Sequence, residues 1–371
     1  MPQTMPRRRT ASLPVRAAAV FVATRLLCLV ALAVDAHRHR RALGAVLTVF
    51  DGGYYRQIAT HWYPHALAAG PPGALAPSPL AFFPLYPSLL GVLRLAGVPV
   101  PVGALLVDTV AGAAAAALIA VTVRRWTSDR TGLLTAALWS VYPLGVVLTL
   151  AYPEALFTLL ATGALLALCD ERWALAGACV ALACLTRPTG VVLVAVVVAV
   201  AIRHRQVRAL MVAAAGLVAY LGWMAYLAVL TGSPTAWFTT ERRGWGVYFD
   251  AGLDNATRAA HYLLRPSSRP AATVVGLLLV GVVVLVVAAW FQPLPRRYWL
   301  FAALLVLVAV GSRNTYSSIP RFLLPAFPLL VPVAALLARV PRAVAWTAVV
   351  VAAAAMAAAG VYLAFTSTYP P

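Results

Sequence analysis

The 371-residue chain contains no lysine, and only 10 aspartate and glutamate residues stand against 29 basic ones, all of them arginine. Charged residues make up just 11% of the sequence, too few to solvate a water-soluble domain of this length. Its four cysteines, Cys28, Cys169, Cys179 and Cys184, lie inside apolar runs and in none of the spacings that bind zinc. They are read as small core residues, which removes a disulfide-stapled fold and a zinc module. No internal repeat is visible. The formal net charge of +19 would suit a nucleic-acid partner. The arginines, however, fall in short clusters between apolar runs, which is the positive-inside pattern of membrane proteins and argues against nucleic acid.

What the chain has in excess is apolar surface. Hydrophobic residues form 63% of it and the mean hydropathy is +0.87. Runs of about 20 apolar residues read as transmembrane helices, so the expected fold is an all-α, polytopic integral membrane bundle in one domain, residues 1–371. The run Val15–Val34, preceded by Arg7-Arg8-Arg9, has the features of a secretory signal but is long enough to span, and is read as an uncleaved first helix. Arg25 inside it needs a polar partner, because a charge at that depth costs about 2.5–3.5 kcal/mol.

The second span is 102–123, followed by 131–150, 153–169, 173–187, 189–203, 208–230, 272–291, 298–312, 321–339 and 343–365, about eleven in all. The run 80–98 carries Pro84 and Pro87. If it does not cross, Arg124, Arg125, Arg130, Arg172, Arg203, Arg205, Arg208, Arg296, Arg297, Arg339 and Arg342 all share the cytoplasmic side. Residues 35–101 then form a first extracytoplasmic loop with juxtamembrane helices, and 231–271 a second. The basic residues at 37–41, with Arg242, Arg243 and Arg258, break the rule.

The first loop holds Phe50-Asp51-Gly52-Gly53-Tyr54-Tyr55-Arg56-Gln57-Ile58-Ala59. From Asp51 onward, Tyr54, Tyr55, Ile58 and Trp62 follow helical spacing, predicting a short interfacial helix with Asp51 at its start. Two readings are open. Asp51 caps that helix, since aspartate is a favoured N-cap, or it is a catalytic base at a membrane surface. Turns expected on the same side carry Tyr152-Pro153-Glu154, Arg187-Pro188 and Pro320-Arg321-Phe322. A carboxylate with arginines at helix ends suits a reaction on a lipid-linked phosphate: arginine binds phosphate through paired hydrogen bonds, and the carboxylate takes a proton from an attacking hydroxyl. Each has a plain structural alternative, because Glu154 could cap its helix and Arg187 or Arg321 could pair with it. Asp108, alone among the acids, falls within a span and could be a proton-coupling group or a partner for Arg25.

The Asp51 stretch, then Ala81-Phe82-Phe83-Pro84-Leu85-Tyr86-Pro87, Tyr152-Pro153-Glu154-Ala155-Leu156-Phe157, Thr186-Arg187-Pro188-Thr189-Gly190 and Arg321-Phe322-Leu323-Leu324-Pro325, resemble in order the signatures of the PIG-V-type mannosyltransferases. Thr24-Arg25-Leu26 resembles that family's first-helix arginine. The resemblance implies a GT-C-type membrane glycosyltransferase that takes a hexose, typically mannose, from a polyprenyl-phosphate donor with inversion. Asp51 is the implied base, and Tyr54, Tyr55, Tyr86, Tyr152, Glu154, Arg187 and Arg321 the implied substrate-binding residues. Phe50, Trp62 and Pro153 depart from the family's tryptophan, glycine and serine. No Asp-X-Asp pair is present to hold a divalent ion for a nucleotide-sugar donor, so no metal or other cofactor is expected. Glu241, Asp250 and Asp254 remain as places for an ion or the acceptor in the second loop. The partners expected are the plasma-membrane bilayer, the lipid-linked donor and an acceptor the residues leave open. The rival function is a secondary transporter or lipid flippase, which would place ionisable groups near the bilayer midplane.

Overall fold

Proline and helix length decide how the expected runs fold in the computed structural model, which describes residues 12–70, 74–266 and 270–367. The Arg7-Arg8-Arg9 cluster lies outside them. The chain runs through α1 (Ser12–Arg38), α2 (Leu43–Leu47), α3 (Asp51–His61), α4 (Leu85–Leu95), α5 (Val100–Arg124), α6 (Asp129–Ser140), α7 (Glu154–Cys169), α8 (Trp173–Thr186) and α9 (Gly190–His204). It continues with α10 (Val207–Thr231), α11 (Ala236–Thr239), α12 (Leu253–Leu264), α13 (Pro270–Trp290), α14 (Arg296–Gly311), α15 (Ile319–Phe322), α16 (Val331–Leu337) and α17 (Arg342–Phe365). Among the described residues, β-structure is limited to two isolated bridges, Ala69 with Leu75 and Phe249 with Ser312. An all-helical build is what lipid demands, because a helix satisfies its own backbone donors and acceptors.

Five helices, α1, α5, α10, α13 and α17, are long and apolar enough to cross a bilayer, and a sixth span results if the pair around residues 316–337 counts as one. That pair is bent by 84° between Phe322 and Phe327. Pro325 sits in the break and supplies no backbone N–H to carry a helix through it. The expected span 131–150 is also interrupted: α6 stops at Ser140, and Pro143 separates it from a 3₁₀ turn at Gly145–Leu148. Of the eleven runs expected, length and composition therefore assign five or six as spans. Residues 80–98 divide into a 3₁₀ turn and α4, whose 11 residues reach roughly 16 Å, short of the roughly 30 Å hydrocarbon core.

The break at Pro143 explains Arg25. Carbonyls left without helical donors turn toward α1, and the buried Arg25 guanidinium donates to the Gly145 and Ser140 carbonyl oxygens and to Thr149 Oγ1 at 3.3 Å. Arg25 has its polar partner, and that partner is not Asp108. Close packing of α1 on α5 depends on Gly112, where a Cβ would lie 2.1 Å from the Phe21 ring; small residues let membrane helices approach this way.

Two ends of the bundle differ. At one, Arg125 pairs with Asp170, Arg297 Nη1 donates to the Leu168 carbonyl at 2.9 Å and Arg130 Nη2 to that of Leu337 at 3.3 Å, gathering the ends of α5, α7, α14 and α16. The other end carries the first loop, the starts of α7 and α9, and the 312–326 bend. Several arginines that broke the sidedness pattern have local partners there. Arg41 donates to the Ala364 carbonyl at the C-terminus of α17 at 3.1 Å, Arg38 pairs with Asp35 at 3.5 Å, and Arg258 pairs with Asp254.

Candidate active site

The site begins with a forced turn. Phe50 has φ 54° and ψ −126°, a conformation that non-glycine residues avoid, and Asp51 follows as the first residue of α3. Two contacts pin the strained segment: Ala151 N–H donates to the Leu47 carbonyl at 2.8 Å, and Asp51 N–H donates to Tyr152 Oη at 3.2 Å. Gly52 allows the approach, since a Cβ there would sit 3.3 Å from that of Ala151.

The Asp51 carboxylate is not a helix cap. Phe50 holds the N-cap position, and Asp51 Oδ2 instead accepts from Arg321 Nη1 at 2.5 Å. Oδ1 accepts no hydrogen bond among the described residues. Arg321 stands on the four-residue helix α15, started by Pro320 and ended by the proline-rich bend. Its Nε lies 3.7 Å from Glu154 Oε1, and the same oxygen accepts from Arg187 Nη1. Glu154 opens α7, and Arg187 closes α8 with an extended backbone. Both guanidiniums also face Phe322, at 5.3 Å for Arg187 and 4.9 Å for Arg321, and Arg321 lies 5.0 Å from the Tyr152 ring centroid. Such contacts add a favourable term for partly desolvated arginines.

The result is a buried quartet of two carboxylates and two guanidiniums, formally neutral. Its side chains are between 0% and 13% exposed. Charges so buried persist only when paired. Two atoms at its centre nevertheless lack hydrogen bonds, Glu154 Oε2 and Arg321 Nε. Orphaned buried atoms of this kind mark a place where a ligand or water completes the network.

Aromatic residues wall this quartet. Tyr55 is buried, edge-on to Tyr86 at 5.1 Å and to Phe82 at 5.0 Å. Tyr86 Oη donates to Asp108 Oδ2 at 2.8 Å, which gives the intramembrane acid its partner. Tyr54 stacks on Phe82 at 5.0 Å, with the Trp245 edge 5.3 Å away. Trp62 leaves the expected helical face. It ends α3 with φ 66°, is exposed, and donates from its indole to Tyr226 Oη at 2.6 Å.

Of the residues singled out from the sequence, Asp51, Tyr152, Glu154, Arg187 and Arg321 meet directly, Tyr55 and Tyr86 stand behind them, and Tyr54 lies beside Trp245. Glu241, in the second loop, makes no ion pair with any of these described residues but stands near enough to feel the Asp51 charge. A π-turn at Thr240–Trp245 packs on the first loop, with Leu75 N–H donating to the Arg243 carbonyl at 3.2 Å. Burial, and then the charge of Asp51, push the Glu241 carboxyl up to about 8. The loop's other acids are elsewhere. Asp250 accepts from the N–H groups of Gly252 and Asp254 to start α12, and Asp254 accepts from Arg258 and the Asn314 N–H. Among the described residues no group of three or more His, Cys, Asp or Glu side chains is placed to hold a metal ion. The role of Phe322 had no signal in the sequence beyond its place next to Arg321.

Comparison with solved structures bears on the fold of this helical membrane bundle. The chain superposes on ArnT from Cupriavidus metallidurans bound to undecaprenyl phosphate with a TM-score of 0.54 and 16% identity, covering 90% of this chain and 62% of that one. An oligosaccharyltransferase from Archaeoglobus fulgidus in its apo form gives 0.53 and 15%, covering 98% and 57%. The chain thus spans about three fifths of the length of these structures. A family model described as dolichyl-phosphate-mannose-protein mannosyltransferase matches residues 86–238, less than half of the chain. No curated protein matches it. The fold is GT-C; the matches do not single out the PIG-V type.

Proposed function

We propose that this chain is a glycosyltransferase that moves a hexose, mannose on the family resemblance, from a polyprenyl-phosphate donor to an acceptor hydroxyl at the outer face of the plasma membrane. The carrying observation is Asp51: one carboxylate oxygen is fixed on Arg321 and the other is open, at the edge of a buried quartet. The mannosyltransferase description of the matching family model supports the reading. So does the shared fold with an enzyme crystallised with undecaprenyl phosphate.

In the proposed step, Asp51 Oδ1 takes the proton of the acceptor hydroxyl as its oxygen bonds to the anomeric carbon, on the face opposite the phosphate. The bond from that carbon to the phosphate oxygen breaks, its electron pair leaves with the polyprenyl phosphate, and the configuration inverts. Arg187 and Arg321 receive the phosphate charge through charge-assisted hydrogen bonds. Both already face carboxylates, so the phosphate enters as a further anion. The 3.7 Å contact between Arg321 and Glu154 is the one it displaces most readily, and the unpartnered Arg321 Nε is its first donor. Tyr152 positions Asp51 through its backbone, Tyr55 and Tyr86 keep water from the quartet, and Tyr54 offers a face for the sugar. The acceptor is a lipid, glycan or protein hydroxyl. The arginine-rich end away from this site supports an outer-face location.

The test is transfer of radiolabelled sugar from polyprenyl-phosphate donor by purified protein, wild type against Asp51→Asn. Asparagine keeps an oxygen for Arg321 but is no base, so the rate should fall about 10²–10⁴-fold. An unchanged rate in folded protein rejects Asp51 as base. Flux of lipid-linked sugar into proteoliposomes without transfer product would instead make the chain a transporter.

A further inference from the structure

At the end of the bundle remote from Asp51, three helix starts converge on a cleft of about 310 Å³. They are those of α1, α6 and α17, and they contribute Arg16, Arg130 and Arg342 to its lining. Asp129 is the single acid in it, and it lies 4.0 Å from Arg124, outside the cleft lining. The local charge is therefore strongly positive. The α6 start is capped by Ser128 Oγ, which accepts from the Thr131 N–H at 3.1 Å, but the α17 N-terminus adds to the positive charge, since free N–H groups there carry partial positive charge and arginine beside them is electrostatically misplaced. α17 starts without a side-chain cap. A bound anion resolves both conflicts at once, as anions at helix N-termini do generally.

The walls say which anion. Leu133, Leu134, Ala345 and Trp346 line the cleft beside the arginines. On the same helices, Val15 of α1 and Val344, Val350 and Val351 of α17 are all more than half exposed, a surface suited to acyl chains. We infer that this cleft binds the phosphodiester headgroup of an anionic membrane phospholipid, with its acyl chains along the exposed faces of α1 and α17. Guanidiniums bind such phosphates in paired fashion, and basic pockets between membrane helices are suited to them. Arg130 is partly committed, donating to the Leu337 and Val340 carbonyls. Arg16 and Arg342 are exposed and carry the recognition.

The inference is independent of the transferase reading and its test uses no activity. Full-length protein in detergent is titrated with phosphatidylglycerol or phosphatidylcholine, and bound lipid is counted by native mass spectrometry. Phosphatidylglycerol should bind in preference, and R16Q/R342Q should weaken it about 10- to 30-fold. R203Q/R205Q, which alters two arginines outside the cleft lining, should leave it unchanged. Equal binding of the two lipids, or an equal loss in both variants, overturns the site. Release of phosphatidylglycerol by millimolar inorganic phosphate would assign the cleft to a soluble anion and overturn the lipid. Both arginines of the test variant are surface residues, so its fold should persist.

Discussion

The two ends of the bundle pair the same residue types under opposite conditions. Near Asp51, Arg321 and its partner are 8% and 13% exposed, and Glu154 is wholly buried between two guanidiniums. At the far end, Arg125 and Asp170 are 46% and 34% exposed. Water screens the second pair, so its members are nearly interchangeable with neutral residues. The first set has only itself for solvation, which makes each member costly to remove and leaves any unpaired atom available to a ligand.

The largest effect expected from this contrast is on chemistry. Asp51→Asn should abolish most transfer while costing less stability than loss of the Glu154 charge, because Asp51 meets one guanidinium and is 13% exposed whereas Glu154 is wholly buried against two. A variant that lost its fold along with its rate would reduce Asp51 to an ion-pair member. Next comes Glu154→Gln, which leaves Arg187 without its carboxylate inside the protein. Thermal or denaturant unfolding in detergent should show a loss of about 3–5 kcal/mol. The neutral double change Glu154→Leu with Arg187→Met should lose less, and a larger loss would mean the pair is not simply compensating charge.

Glu241 sharpens the comparison by pH. Its carboxyl is pushed from its ordinary 4.5 up to about 8, first by burial and then by Asp51. Between those values the folded state holds a proton that the unfolded state has lost, so this contribution to stability is complete below pH 4.5 and declines as pH rises toward 8. Glu241→Gln should remove the decline, gaining about 1–3 kcal/mol on wild type between pH 5 and 8. Parallel pH curves for the two proteins would place Glu241 in water. The smallest effect is at the exposed end, where Asp170→Asn should cost about 1 kcal/mol or less. A loss several times greater there would break the contrast between the ends.

Much of the site was legible in the chain because membrane proteins keep polar groups scarce. In an apolar sequence, Asp51, Glu154, Arg187 and Arg321 stand out, and the alternation of spans assigned them to one face. Their partners were not legible. The capping reading of Asp51 followed from local propensity, and it fails because the carboxylate of a first-turn residue found a guanidinium 270 residues away. Trp62 matched a helical period that the helix did not last long enough to realise. Arg25 took carbonyls freed by a proline break rather than Asp108, a choice set by which segments pack together.

By itself the sequence determined the solvent of this protein. Long runs of alanine, valine and leucine, with arginine mostly between them and Arg25 the exception inside one, satisfy their backbone in lipid as helices. It also determined which side chains were too polar to be there without reason. The tertiary structure alone decided which of them meet, how far each is shielded, and which atoms stay open. Those depend on the bends at Pro143 and Pro325 and on the strained turn at Phe50, which bring residues from α3, α7, α8 and α15 within hydrogen-bonding reach of one another.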